Sequence, residues 1–495
     1  MPDAGGLWYT LVIMRENTSF KPLAPEVLSE LKNAVGADNV IADGSKKLRR
    51  YGHDQVADDP DSRAPEAVVF ASSTADVVKV MEIANRAHVA VTPRGGGSGL
   101  SGGAVPIFGG IVLSTEKMNE IIEVDTENLV AVVEPGVVTS TLDRVLEPHG
   151  LFFAGYPMSE EFCTVGGNVA ENAGGGRAVK YGVTGRYIIG LEVVTPAGNV
   201  MVLGGKRLKD VTGYDLVSLI VGSEGTLAIV TKIFIRLMPR PVHRSALLAF
   251  FPDTTMAIST LPRIISEHRI IPTSAEYADA FCLREACVMV HETLPYDTAG
   301  AMMLFESDGP DASIVDREIG RIESVCRAAG ALHTYRADTE KTAARFWKIR
   351  KQIPWALKHH AKLNAMEDIV VPVASIPAMV RDIARIADEH SIRIPVFGHA
   401  ADGNLHATVL ADATDTEQSF RERLVPVLER LYTAAAGHGG TISGEHGIGH
   451  KRARYLPIVM SQYQIDIFRG IKAVFDPNGI LNPGKIVVAD DQGGR

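Results

Sequence analysis

The chain has little cysteine: four residues in 495, namely Cys163, Cys282, Cys287 and Cys326. They lack zinc-ribbon spacing and are too sparse for a disulfide framework, which excludes a stapled secreted scaffold and points to a reducing compartment. Basic excess is missing as well. The formal net charge of -9 arises from interspersed acids and bases, so the electrostatic footprint of a nucleic-acid binder is absent. No apolar run reaches membrane-spanning length. The run near the N-terminus, Leu7 to Met14, is too short and has neither the basic start nor the cleavage site of a signal peptide. Repeats and low-complexity segments are also lacking. These absences lead us to expect a soluble, cytoplasmic protein without a transmembrane segment, in which residues 1–20 form a loose extension.

What is present is apolar residue (46%) in a chain too long for one ordinary core, which predicts two or three domains. Between Ala67 and Arg240 short β-branched runs (Val68 to Phe70, His88 to Thr92, Gly110 to Ser114, Leu129 to Glu134, Leu191 to Thr195, Leu227 to Phe234) alternate with glycine clusters. Helices are predicted over Ala24 to Val35 and Thr74 to Ala87. Beyond Pro239-Arg240-Pro241 the pattern becomes strand (Ser245 to Phe251), helix (Thr254 to His268), strand (Ala301 to Glu306) and helix (Ala312 to Ala329). The fold class is α+β, with a boundary at the two prolines. The tail, Gln462 to Lys485, opens as an amphipathic helix, stops at Asp476-Pro477-Asn478-Gly479, and is placed to return to the first domain.

Six glycines fall within the loop Pro93-Arg94-Gly95-Gly96-Gly97-Ser98-Gly99-Leu100-Ser101-Gly102-Gly103. Gly97 to Gly102 fits GxGxxG, but a dinucleotide fingerprint requires a helix opening at the loop, and here Ala104-Val105-Pro106 follows. A nest of uncovered backbone amides, able to converge on a pyrophosphate, is the reading that remains. Further glycine clusters at Gly166-Gly167, Gly174-Gly175-Gly176 and Gly222-Ser223-Glu224-Gly225 suggest a long ligand lying close to the backbone.

The second half carries Gly398-His399-Ala400-Ala401-Asp402-Gly403-Asn404-Leu405-His406 and Gly444-Glu445-His446-Gly447. Two histidines and a carboxylate are a ligand set for a zinc-like ion with open positions. The Asp-Gly-Asn turn between His399 and His406 predicts a hairpin that brings them together. A zinc-dependent hydrolase uses a similar set, but the His-Glu-x-x-His helix is absent and the glycine loop would be left unexplained.

Arg94 to Gly103, Pro135-Gly136, Thr164 to Thr184, Gly222 to Gly225 and Asn482-Pro483-Gly484-Lys485, in this order, resemble FAD-binding flavoproteins of the vanillyl-alcohol-oxidase (p-cresol methylhydroxylase) type. The likeness covers roughly residues 45–490, and the chain is most similar to the branch of the bacterial glycolate oxidase flavin subunit, D-lactate dehydrogenase and D-2-hydroxyglutarate dehydrogenase. The resemblance implies a two-subdomain FAD-binding domain (21–240), a substrate-binding cap with a ferredoxin-like antiparallel sheet and helices (241–457), and a C-terminal segment (458–495) returning to the first domain. It also implies FAD, held by Pro93 to Ser101 at the pyrophosphate, by Pro157, Thr164, Gly167, Asn168 and Gly174 along the isoalloxazine and ribityl side, and by Glu224, Gly225 and Ile229 along the adenosine half, with Asn482 closing the site. No histidine stands in the first loop, so the FAD is expected to be non-covalent.

By the same resemblance His399, His406 and Glu445 hold a divalent metal (zinc, with manganese or iron as alternatives). His446 is the acid/base that takes the hydroxyl proton while hydride passes from C2 to flavin N5, and Arg350 grips the substrate carboxylate. Relatives that oxidise 2-hydroxyglutarate hold its distal carboxylate with a threonine and a lysine, where this chain has Pro354 and Ala365-Met366. The expected substrate is therefore a small D-2-hydroxy monocarboxylate such as D-lactate, with D-2-hydroxyglutarate and glycolate as alternatives. Lys358, His359, His360 and Lys362 are cations this reading does not place. Electrons are expected to leave to a partner protein or quinone, and a homodimer is left open.

Overall fold

The computed structural model describes residues 20–42, 44, 46–56, 62–337 and 339–487; the N-terminal apolar run and most of the expected extension lie outside the described residues. Strands β1 (Val40–Ile41), β2 (Ala67–Phe70), β3 (Val91–Arg94) and β4 (Ile111–Ser114) form a sheet in the order β1-β2-β4-β3, parallel across its last three members. Helices α1 (Pro25–Val35) and α2 (Thr74–Ala87) pack on it through Leu31, Val77, Val80 and Met81. Ser73 starts α2 by accepting the Asp76 amide hydrogen, and His88 ends it with φ at 56°. That left-handed residue breaks the run expected to form a strand from His88, and pairing begins at Val91.

A second sheet is antiparallel. It contains β5 (Ile121–Asp125), β6 (Val130–Val133), β8 (Ile188–Val194), β9 (Val200–Gly204) and β10 (Ile229–Arg236), in the order β5-β6-β10-β8-β9. A short ribbon of β7 (Leu151–Phe152) and β11 (Met238–Pro239) flanks it. Helix α3 (Val165–Glu171), capped by the Thr164 hydroxyl on the Gly167 amide, forms inside a glycine cluster where the sequence predicts no helix. Its Val165 and Val169 enter the core of this sheet, and that burial offsets the unfavourable propensity of Gly166 and Gly167.

The third sheet holds β12 (His243–Phe251), β13 (Ser274–Asp279), β14 (Ala301–Gly309), β15 (His333–Arg336), β16 (Asn364–Val370), β17 (Val396–His399) and β18 (Asn404–Leu410). Their order is β15-β12-β14-β13-β17-β18-β16, antiparallel throughout. Helices α4 (Ala280–Val290), α5 (Ala312–Ala328), α6 (Glu340–His360), α7 (Ile376–Glu389) and α8 (Glu417–Gly437) cover both faces. Ala246, Leu248 and Phe250 of β12 pack one way and Leu247, Ala249 and Phe251 the other, which is why this antiparallel strand reads as a continuous apolar run. The helix expected over Thr254 to His268 is broken into Thr254–Ile258, Thr260–Pro262 and a π-turn over Arg263–Glu267, because Pro262 interrupts the hydrogen-bond ladder.

The last helix, α9 (Gln462–Phe475), rests Ile471 and Phe475 on the second sheet, and Ile480 and Leu481 enter the core of the first. The Asn482 amide donates to the Val91 carbonyl at 2.7 Å. Among the described residues no helix is long and apolar enough to cross a membrane.

Candidate active site

Strand β3 ends at Arg94 and delivers the chain into the glycine loop, where no helix follows. The Arg94 side chain folds under that loop. Its guanidinium donates to the His53 carbonyl at 2.8 Å and lies 5.5 Å from the Tyr51 ring centroid. Arg94 is thus a brace, and the loop's backbone amides are left to face a ligand. Asp54 supports the far end, its carboxylate accepting the Gly102 amide hydrogen at 2.8 Å. Gly97 has φ at +65°, and a Cβ there would stand 2.0 Å from Arg94 Nη2. Gly97→Ala is expected to cost about 1–2 kcal/mol from the left-handed backbone alone. It should also lower the fraction of protein purified with bound FAD, read from the flavin-to-protein absorbance ratio.

A cavity of ≈ 2030 Å³ runs from this loop to the third sheet. All the residues assigned above to the cofactor line it except Ser101, which is buried beneath the loop. Arg350, His399, His406, Glu445 and His446 line the same cavity, so both sets of residues from the sequence share one space.

The two histidines meet across the predicted hairpin, at the end of β17 and within β18. Glu445 lies between them, with Oε1 3.3 Å from His399 Nε2 and 3.4 Å from His406 Nε2. His446 Nε2 is 3.8 Å from the same oxygen, and its ring stacks on His406 at 5.1 Å with an interplanar angle of 6°. Two imidazole nitrogens and a carboxylate oxygen converging within 4.8 Å suit a zinc-class divalent ion. Burial alone would depress the His399 imidazole, but Glu276 and Glu445 outweigh it and hold it well above the ordinary histidine range. Burial pushes the His446 imidazole down to about 4, so this ring is neutral near pH 7 and can accept a proton.

Two carboxylates that sequence reasoning missed stand behind these rings. Glu276, fully buried on β13, is the cross-strand partner of His399 and meets its Nδ1 at 2.8 and 2.9 Å. Asp368, fully buried on β16, is the cross-strand partner of His406. It lies 3.7 Å from His406 Nδ1 and 3.9 Å from His446 Nδ1. Its Oδ2 accepts hydrogen bonds from Ser443 Oγ and from the amides of Gly444, Glu445 and His446, all at 2.8–2.9 Å. Asp368 thereby shapes the turn that presents Glu445 and His446. The sequence signal was weak: Asp368 directly precedes the apolar run Ile369-Val370-Val371, and Glu276 stands between Ala275 and Tyr277 in a short mixed strand.

Arg350 is buried on α6, donates Nε–H to Glu276 at 2.7 Å, and stacks 4.8 Å from the Phe397 ring centroid. The Glu224 carboxylate reaches across to the histidine loop, accepting the Ile448 and Gly449 amide hydrogens at 2.7 and 2.6 Å. Asn482 donates to the Gly103 and Glu224 carbonyls.

Comparison with known proteins agrees with this architecture. Residues 65–204 match the FAD binding domain family, and residues 240–486 match the family described as FAD linked oxidases, C-terminal domain. The chain is 40% identical over 426 residues to the glycolate oxidase subunit GlcD of Bacillus subtilis, covering 86% of this chain and 90% of that one. It is 34% identical to the D-lactate dehydrogenase of Anaerostipes hadrus (94% and 98% covered) and 32% identical to the D-2-hydroxyglutarate dehydrogenase of Stutzerimonas stutzeri (94% and 99%). The fold superposes on that of p-cresol methylhydroxylase with a TM-score of 0.76 at 18% identity, over 93% of this chain and 96% of the other. The chain belongs to the family of FAD-linked oxidases and dehydrogenases that join a p-cresol-methylhydroxylase-type FAD-binding domain to the FAD-linked oxidase C-terminal domain.

Proposed function

We propose that this enzyme oxidises a small D-2-hydroxy monocarboxylic acid, D-lactate or a near homologue, to the 2-oxo acid. The observation that carries this reading is the single cavity in which the glycine loop, Arg350 and the His399–His406–Glu445–His446 cluster face one another. The residues fit the groups required. The glycine loop is braced from beneath by Arg94, with Gly97 at φ +65° too close to its guanidinium for a Cβ, and its backbone amides stay open to the cavity; the two Nε2 atoms and Glu445 Oε1 form a donor set for a divalent cation. When bound, FAD would supply the hydride acceptor at N5 and the ion a Lewis acid that makes the substrate hydroxyl more acidic.

The chain's own residues do the rest. Arg350, with Nε committed to Glu276, has its terminal nitrogens for the substrate carboxylate. His446, neutral and largely shielded from solvent, takes the hydroxyl proton at Nε2, the nitrogen on the side of Glu445. Asp368 faces Nδ1 of that ring and favours the tautomer in which Nε2 is the free base.

Specificity for a monocarboxylate rests on what lines the cavity beyond Arg350. Pro354, Ala365 and Met366 line it there and supply no cation. Lys351 and Lys358 also border the cavity, but both are solvent-exposed and Lys351 faces Glu160 at 3.7 Å. His360 contacts Glu285 at 3.1 Å, and neither it, His359 nor Lys362 borders the cavity. Lys451 lines the cavity beside Met366 but is committed to Glu367 at 2.8 Å and to the Met366 carbonyl at 2.9 Å, so a second carboxylate would be desolvated without an uncommitted buried cation. We further propose zinc as the metal, with manganese or iron as alternatives, non-covalent FAD, and a quinone or partner protein as electron acceptor. Anaerobic absorbance with a panel of D- and L-2-hydroxy acids tests the reading. D-lactate should bleach the flavin, and chelation of the metal should suppress bleaching while FAD stays bound. Rapid bleaching by D-2-hydroxyglutarate with none by D-lactate overturns the substrate assignment.

A further inference from the structure

Glu276 is fully buried, and one carboxylate serves two partners that come from different elements. Oε2 accepts Arg350 Nε–H from α6 at 2.7 Å, while His399 Nδ1 from β17 lies 2.8 Å from Oε1 and 2.9 Å from Oε2. Arg350 and His399 are themselves 2% and 4% exposed, so the three groups form a closed unit. The remaining side of the carboxylate is covered from the other half of the chain. Gly176 lies there, and a Cβ on it would come within 2.5 Å of Glu276 Oε1 and 3.6 Å of His399 Nδ1. Its neighbour Gly174 lies against Glu445 in the same way, with a Cβ 3.6 Å from Oε2. The cluster Gly174-Gly175-Gly176, which the sequence suggests as a backbone surface for the cofactor, therefore also forms the floor of the histidine and carboxylate cluster.

We propose that Glu276 is a positioning residue that locks the substrate-carboxylate anchor Arg350 to the metal ligand His399, and that Gly176 completes the lock from the flavin domain. This inference rests on the proposed 2-hydroxy-acid oxidation. The chemistry follows from the donors. A carboxylate accepts from both Arg350 Nε–H and His399 Nδ1–H, which leaves Nε2 as the ring nitrogen that faces Glu445 and that a divalent ion would bind by displacing its proton. An amide in its place must turn an NH2 group toward one of these two donors. Facing His399, it forces the proton onto Nε2 and removes the metal-binding lone pair. Facing Arg350, it expels the guanidinium from its seat.

Two variants of the FAD-loaded, full-length enzyme test the proposal. In Glu276→Gln, metal affinity, measured by titrating zinc into chelator-treated protein, should weaken roughly 10–100-fold. KM for D-lactate should rise by about as much, with flavin content close to the parent. Gly176→Ala, which alters neither Arg350 nor His399 and displaces the same oxygen, should shift metal affinity and KM in the same direction. Zinc affinity and KM within twofold of the parent in Glu276→Gln overturn the proposal, and so does a Gly176→Ala enzyme indistinguishable from the parent. Failure of the functional reading is separate: the parent enzyme would then not bleach with any 2-hydroxy acid, while the zinc titrations would still report on the Glu276–His399 contact.

Discussion

Replacement of His446 by glutamine is expected to slow flavin reduction by D-lactate about 10²–10⁴-fold, the range for loss of a positioned general base. The protein should remain yellow and should still bind its divalent ion. The expectation follows from the separation of roles in the site. His399 and His406 approach Glu445 most closely and are the proposed ligand set, whereas His446 stands slightly further off at 3.8 Å. Burial keeps His446 uncharged near neutral pH, so its free nitrogen can take the hydroxyl proton. Glutamine retains bulk and polarity but offers no comparable base. Stopped-flow bleaching under anaerobic conditions measures the step directly, and a variant that bleaches at the parent rate removes His446 from the mechanism.

The second large effect is expected at Asp368. Asp368→Ala should destabilise the protein by about 3–5 kcal/mol, because removing one member of a buried charged network strands its partners. Here the stranded groups are Ser443 Oγ, the amides of Gly444, Glu445 and His446, and the Asn404 side-chain amide, which donates to Oδ1 at 2.7 Å. The turn presenting Glu445 and His446 would lose the group that organises it, so zinc affinity and flavin reduction should fall together. Denaturant unfolding midpoints measure the first effect and metal titration the second. A variant with the parent midpoint would show that water replaces the carboxylate, and the turn would then be shaped by the rest of the backbone.

Much of the site is legible in the primary structure because its chemistry depends on local backbone geometry. A run of glycines after a short strand, with no helix to follow, specifies an amide nest, and an Asp-Gly-Asn turn between two histidines specifies a hairpin that brings them together. The resemblance added roles for His446 and Arg350 that spacing alone leaves open. Local pattern was less informative where tertiary packing overrides propensity. Helix α3 forms through glycines because Val165 and Val169 are buried, and the run after Thr254 breaks at Pro262.

The sequence by itself determined the class of fold, the flavin cradle and the inventory of histidines that the cavity brings together. Only the tertiary structure decided which carboxylates serve them. Glu276 lies opposite His399, and Asp368 opposite His406, through strand pairings between segments far apart in the chain. Glu224 and Gly176 reach the same cluster from the flavin half of the molecule. Such partnerships are set by sheet order and register, which arise from burial of whole strands and leave no spacing signal around the residues that meet.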